Sequence, residues 1–249
     1  MAKSPPPPQL VQIADGVHAL ETTLRVAPGF YLPVRCTVLR MRSGGLMLVS
    51  PLAMDDALAA QVEALGPVEH LVAPNNLHHL FLDAAVSRWP AARVYLAPGL
   101  PTKLAKLGRK VPAHSVLPEG LPDEVTGVLL DGTPFLGETL LFHAPSATLV
   151  VTDFVFHVLA PKGLFTGLIL RLVRAHRAFA QSAEVRVLMR DKPAAARSAQ
   201  RVLSLPFTRV VMAHGEVVDV DAKARLTAAL TKMLSWANAP GGALTEGPR

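Results

Sequence analysis

The chain holds a single cysteine, Cys36, among its 249 residues. An intramolecular disulfide and any cysteine-rich zinc module are thereby excluded. Cys36 lies in the strand-like run Val34-Arg35-Cys36-Thr37-Val38-Leu39, where a buried, inert thiol is expected. Aromatic residues make up only 5%, too few for the stacking platforms that hold single-stranded nucleic acid. The basic residues are scattered, so no nucleic-acid partner is expected. Long apolar runs are also missing. The best, Leu164–Leu172, is too short to span a bilayer and carries Arg171, with Arg174 just beyond. The opening Met1-Ala2-Lys3-Ser4-Pro5-Pro6-Pro7-Pro8 has no apolar signal segment and reads as a polyproline tail. A cytoplasmic, reducing location is the resulting expectation. No Gly-x-Ser-x-Gly elbow, phosphate-binding Gly-Lys-Ser/Thr loop or Rossmann glycine fingerprint occurs. Acids are in the minority, 19 against 25 Lys and Arg, for a formal charge of +6. That excess favours an anionic substrate or surface.

What is present is material for a core. Half the residues are hydrophobic, which excludes a disordered chain, and the length suits one large domain. The reading is a Pro-rich disordered tail over residues 1–9, a single domain over 10–238 and a flexible tail over 239–249. Strand-like runs at 10–14 and 17–21 flank the turn Asp15-Gly16, and a second hairpin joins 35–41 to 46–50. Helical spacing follows at 55–65, then a strand at 69–73, a short helix at 84–89, a strand at 94–97 and a basic helix or turn at 103–110. Three more strands (125–130, 139–142, 148–152) precede helices at 164–181 and 193–204, a strand at 209–213 and a closing helix at 221–237. Hairpins first, then strands alternating with helices, suit two sheets between helices, a four-layer αββα sandwich.

Polar residues of metal-ligand type follow four of these strands: Asn76, His78 and His79 after the strand at 69–73, His143 after 139–142, Asp153 after 148–152, and His214 after 209–213. Sites in α/β folds are built beyond the carboxyl ends of strands. The sandwich requires that His78, His143 and His214 lie near one another. His18, His70, His114, His157 and His176 are assigned ordinary surface or core roles. The cluster Lys103, Lys106, Arg109 and Lys110 reads as a solvated face or as an anion clamp at the mouth of the site.

Ser50-Pro51, Val72-Ala73-Pro74-Asn75 before His78-His79, Trp89-Pro90-Ala91-Ala92-Arg93-Val94-Tyr95 leading to Pro98-Gly99-Leu100, Phe142-His143-Ala144-Pro145-Ser146 and Thr148-Leu149-Val150-Val151-Thr152-Asp153 together resemble the metallo-β-lactamase-fold superfamily. More narrowly, they are similar to a family of uncharacterised proteins within it. The resemblance runs from about Ile13 to Ala237. It implies a metal-dependent hydrolase of a small-molecule substrate. Set against the superfamily's His-x-His-x-Asp-His motif, Asn76 stands at the first histidine, His78 at the second, Leu80 at the aspartate and Phe81 at the last histidine. His143 matches the next ligand, Asp153 the bridging aspartate and His214 the final histidine.

Leu80 and Phe81 cannot coordinate, so the implied site is reduced to one divalent ion (zinc, iron or manganese). His78, His143, Asp153 and His214 would hold it, with His79 as an alternative to His78. Asn76 and Asp153 are the candidate catalytic residues, Asn76 as the group that orients water or substrate. Two alternatives stand beside this. One is a hydrogen-bonded polar network of the same residues with no metal. The other is a binding or scaffolding protein that keeps the fold without the chemistry, with the helix at 164–181 as its contact surface.

Overall fold

The computed structural model describes residues 8–237; most of the proline run and the segment from 238 on, read above as tails, lie outside the described residues. Seven strands form the first sheet in simple chain order: β1 (Gln9–Ala14), β2 (Val17–Ala27), β3 (Phe30–Arg40), β4 (Leu46–Val49), β5 (Val68–Ala73), β6 (Arg93–Leu96) and β7 (Ser115–Val116). Strands β8 (Val125–Leu129), β9 (Thr139–His143), β10 (Thr148–Val151) and β11 (Arg209–Met212) form the second, in the order β11-β10-β9-β8.

The alternation of side chains in the strands divides the core into layers. Met47, Val49, Val72, Tyr95, Leu141 and Val150 meet between the two sheets. Their neighbours Leu46, Leu48, Leu71 and Ala73 turn the other way, onto α1 (Asp56–Glu63), α2 (Leu82–Arg88) and α3 (Leu100–Lys106). On the far side, Leu140, Phe142, Leu149 and Val151 pack with α6 (Lys192–Ser204), α7 (Ala222–Ala229) and α8 (Thr231–Leu234). The central strands β4, β9, β10 and most of β11 are buried on both faces, which is why they read as continuous apolar runs. The four layers are those of the expected αββα sandwich.

Two elements differ from expectation. Strands β2 and β3 continue well past 21 and begin well before 35, pairing from Val17↔Leu39 to Ala27↔Phe30. Pro28-Gly29 supplies the turn, with Gly29 at φ 72°, while Pro33 obscured the strand in the sequence. The basic helix expected over 164–181 stops at Leu172: α4 (Leu164–Leu172) gives way to bridges Val158↔His176 and Phe156↔Ala180, and a short helix, α5 (Ala183–Leu188), follows. Arg174 and Arg177 sit at φ 58° and 53°, incompatible with a continuing right-handed helix. Cys36 is fully buried, and burial pushes its thiol up to about 12, so it is a core residue as expected.

Strand direction positions the site. β4, β5 and β6 are mutually parallel, as are β10 and β11. Ser50, Asn75, Asp153 and His214 each follow the carboxyl end of one of these parallel strands by one or two residues. The two sheets face each other so that these ends open onto one edge of the sandwich. Arg35 ties the sheets together there: its guanidinium donates to the Met212 carbonyl across the interface and pairs with Glu21 at 2.6 Å.

Candidate metal centre

Three side chains converge at that edge: His78, Asp153 and His214. His78 Nε2 lies 3.2 Å from Asp153 Oδ2, His214 Nε2 lies 3.1 Å from Asp153 Oδ1, and the two Nε2 atoms are 3.3 Å apart. A tetrahedral zinc about 2.0–2.1 Å from each donor spaces its ligands about 3.3–3.4 Å apart. The two imidazole nitrogens stand at that spacing, and each lies at a similar distance from its own oxygen of the Asp153 carboxylate. Among the described residues no other group of three His, Cys, Asp or Glu side chains converges in this way.

The rings are held from behind. His214 Nδ1 lies 2.8 Å from the Pro33 carbonyl, and a carbonyl only accepts, so that nitrogen carries a proton. In a neutral ring Nε2 is then an unprotonated lone pair, aimed at a carboxylate oxygen and at a second imidazole nitrogen. Two acceptors at 3.1 Å repel unless a cation stands between them or the ring takes a second proton. The ring also stacks on Phe156, with centroids 5.2 Å apart and planes 8° from parallel, which fixes its plane. His78 Nδ1 lies 2.5 Å from Ser50 Oγ. Ser50 is buried and sits at φ 58°, a conformation that costs a non-glycine residue about 1–2 kcal/mol. Strain of this kind gathers at functional sites, and here it aims the hydroxyl at the ring. Ser50→Gly is therefore expected to leave stability unchanged or raise it by up to about 1 kcal/mol in thermal melts. The same change should weaken metal affinity about tenfold through the loosened His78.

Asn75 braces the acid. Its amide nitrogen donates to Asp153 Oδ2 at 2.7 Å and Thr152 Oγ1 at 2.8 Å, while its oxygen accepts from the backbone N–H groups of Leu77 and His78. One side chain thus turns the loop that carries His78 and fixes Asp153. Beneath it lies Glu138, wholly buried, accepting from the Thr152 N–H at 2.7 Å and the Asp153 N–H at 2.9 Å. Burial and the nearby Asp153 carboxylate push Glu138 up to about 7, with the two N–H bonds partly offsetting them. For Asp153 burial acts upward, but His78 and His214 outweigh it and hold the carboxyl well below its ordinary 3.8.

Of the residues proposed from the sequence, the structure gathers His78, Asp153 and His214 and leaves three out. His143 ends β9, and β9 runs antiparallel to β10 with Thr148 opposite His143. It therefore lies at the far end of the sheet, buried, with Nδ1 2.7 Å from Ser146 Oγ. Its ring is kept below the ordinary histidine value by burial. His79 turns away: its Nδ1 accepts from Arg109 at 2.6 Å, and Arg109 also pairs with Asp83 at 2.8 Å. Asn76 points back into the fold, its amide donating to the Pro134 and Phe135 carbonyls at 3.2 Å, so Asn75 is the amide at the cluster. Of the basic cluster, Lys103 donates to the Asn76 carbonyl and Arg109 is engaged as above.

Asn75 and Glu138 were missed in the sequence. Asn75 stands beside Asn76, and their amides point to different sides. Glu138 left one signal, an acid directly before the apolar Thr139-Leu140-Leu141-Phe142.

The arrangement of layers is that of solved metallo-β-lactamases. A crystal structure of the DIM-1 metallo-β-lactamase exposed to ceftazidime superposes with a TM-score of 0.64 at 14% identity, over 92% of this chain and 99% of the other. A metallo-β-lactamase from Pontibacter korlensis gives 0.63 at 14% identity, over 91% and 98%. FIM-1 from Pseudomonas aeruginosa, in its mono-zinc form, gives 0.58 at 14% identity, over 94% and 97%. The chain therefore has the metallo-β-lactamase fold. More particularly, residues 15–166 match the model of the family described as "Domain of unknown function (DUF4336)", and the chain belongs to that family. No curated protein matches the sequence.

Proposed function

We propose that the chain is a hydrolase working with one divalent metal ion, held by His78 Nε2, His214 Nε2 and the Asp153 carboxylate. The observation that carries the reading is the donor triangle, with the His214 lone pair facing the Asp153 carboxylate at 3.1 Å. Two imidazoles, one carboxylate and a position left for water are a ligand set of catalytic zinc, and the donor types also suit iron. All three side chains line a cavity of about 190 Å³ open to the surface, so a small molecule can reach them. A bound divalent ion supplies Lewis acidity and an acidified water.

The chain's own residues do the positioning. Ser50 and the Pro33 carbonyl set the two rings, and Asn75 and Glu138 set Asp153. With its carboxyl held well below 3.8, Asp153 serves as ligand and not as general base, which works best near the operating pH. The proposed ligand set is thus two histidines and one aspartate, without the His143 that the sequence reading included.

Protein purified without chelator and loaded with zinc, iron or manganese in turn is expected to bind close to one equivalent, and to gain about 5–10 °C in melting temperature at a hundredfold or greater excess over Kd. Uptake below about a tenth of an equivalent for all three metals would sink the proposal. That outcome would favour the second reading, a binding or scaffolding protein. Its support is α4, where Phe165, Leu168 and Leu172 are exposed beside Arg171. Among the described residues no helix is long and apolar enough to cross a membrane.

A further inference from the structure

The cavity beside the His/Asp cluster is apolar almost everywhere else. Leu24 and Leu32 from the β2–β3 hairpin, Leu52 after β4, and Leu80 and Phe81 from the histidine loop form its walls. A second cavity of about 90 Å³ lies on the other side of Leu77 and Asp153, which line both. Its walls include Leu136, Phe156, Val185 and Leu188. Although the chain carries 25 Lys and Arg, none lines either cavity, and the one charged group besides Asp153 and the histidines is Glu184. Leu80 is 59% exposed at the mouth, at the position where the superfamily motif implies an aspartate. In the metal-free protein an anionic ligand would meet the Asp153 and Glu184 carboxylates and no Lys or Arg. A neutral aliphatic one would bury apolar surface against Leu24, Leu32, Leu52, Leu80 and Phe81 beside the cluster.

We infer that the site takes a neutral, unbranched acyl ester. Its acyl chain lies along the apolar walls of the larger cavity, with its carbonyl at His78, Asp153 and His214. Hexanoyl compounds are the probes of this class, because their chain offers the apolar walls a surface that an acetyl group lacks. In the reaction, water oxygen bonds to the acyl carbon and the bond from that carbon to the alkoxy oxygen breaks. One water proton passes to the departing alkoxide, leaving a carboxylic acid and an alcohol. The chemistry rests on the hydrolytic reading; the shape and polarity of the ligand do not.

Binding is tested apart from turnover with hexanamide, which is neutral and resists hydrolysis, followed by saturation-transfer NMR on zinc-free and zinc-loaded full-length protein. Transfer to the chain methylenes is expected in both forms, with hexanoate binding the zinc-free form at least tenfold more weakly. Leu80→Glu, at an exposed position that the fold does not depend on, should weaken hexanamide at least tenfold, whereas Leu80→Met should bind as the natural chain does. Hexanamide binding that is absent, or unchanged in Leu80→Glu, overturns the inference. With zinc, ethyl hexanoate should turn over at least tenfold faster in kcat/KM than ethyl acetate. Equal rates would overturn the substrate class while leaving the hydrolase intact. Retained hexanamide binding without metal uptake would support the apolar ligand and defeat only the hydrolytic reading.

Discussion

Asp153→Asn is expected to bind zinc at least a hundredfold more weakly than the natural chain while keeping the melting temperature of the metal-free protein within about 2 °C. The two halves follow from the same geometry. Asp153 is the only carboxylate in the triangle, and an amide in its place offers the ion one poor neutral donor. The metal-free protein, by contrast, gains a matched contact. An asparagine there can accept from Asn75, as Asp153 Oδ2 does at 2.7 Å, and donate to the His214 lone pair that now faces Asp153 Oδ1 at 3.1 Å. If instead the cluster were a network closed by a second proton on His214, the same change would remove the charge partner of a buried imidazolium. It would then cost about 3 kcal/mol or more, which is roughly 6–12 °C for a chain of this size. Calorimetry with and without zinc separates the two. His143→Ala is the control: it opens a hole at the far end of β9 and lowers stability, but metal uptake is retained. Loss of uptake in His143→Ala together with full uptake in Asp153→Asn would overturn the triangle.

The control also marks where sequence and structure part. Apolar runs at 46–49, 68–73, 93–96, 148–151 and 209–212 are strands because both faces are buried, and the order of strands and helices was enough for the sandwich. His78, Asp153 and His214 were legible for the same reason: each follows a strand that runs toward the site. His143 follows a strand just as apolar, but β9 returns antiparallel between β8 and β10. Its carboxyl end therefore faces the opposite edge, and its amino end, with Glu138, faces the cluster. A rule that treats every strand's carboxyl end alike cannot see this, because direction depends on pairing partners distant in sequence. The sandwich stands without His143, although the sequence reading made its proximity a condition of the fold. That Asn75 and not Asn76 faces the cluster is not legible in the sequence for a similar reason. Adjacent residues in a loop point to different sides, and which side is inward depends on the hydrogen bonds from Asn75 Oδ1 to the Leu77 and His78 N–H groups.

Glu138→Gln is expected to be costly despite changing a single atom. Both carboxylate oxygens accept backbone N–H bonds, at 2.7 and 2.9 Å. Glutamine keeps one acceptor and turns an N–H₂ toward the other donor, leaving a buried N–H unpaired at about 1–3 kcal/mol. Because those N–H groups belong to Thr152 and Asp153, the ligand shifts as well, and zinc affinity should fall about ten- to a hundredfold. The stability penalty should depend on pH in a direction fixed by burial. Glu138 titrates at about 7 in the fold, against an ordinary 4.5, so between those values the metal-free fold holds a proton that the unfolded chain has released. Its contribution is fully present below about 4.5 and is lost as pH rises through 7, by up to roughly 3 kcal/mol. Glutamine has no such proton. The gap in unfolding free energy between natural chain and variant should therefore be widest near pH 5 and narrow by pH 8. Urea melts of the metal-free proteins at the two pH values measure it. A gap that is equal or wider at pH 8 would mean that Glu138 is ionised throughout, its charge carried by its hydrogen-bond donors.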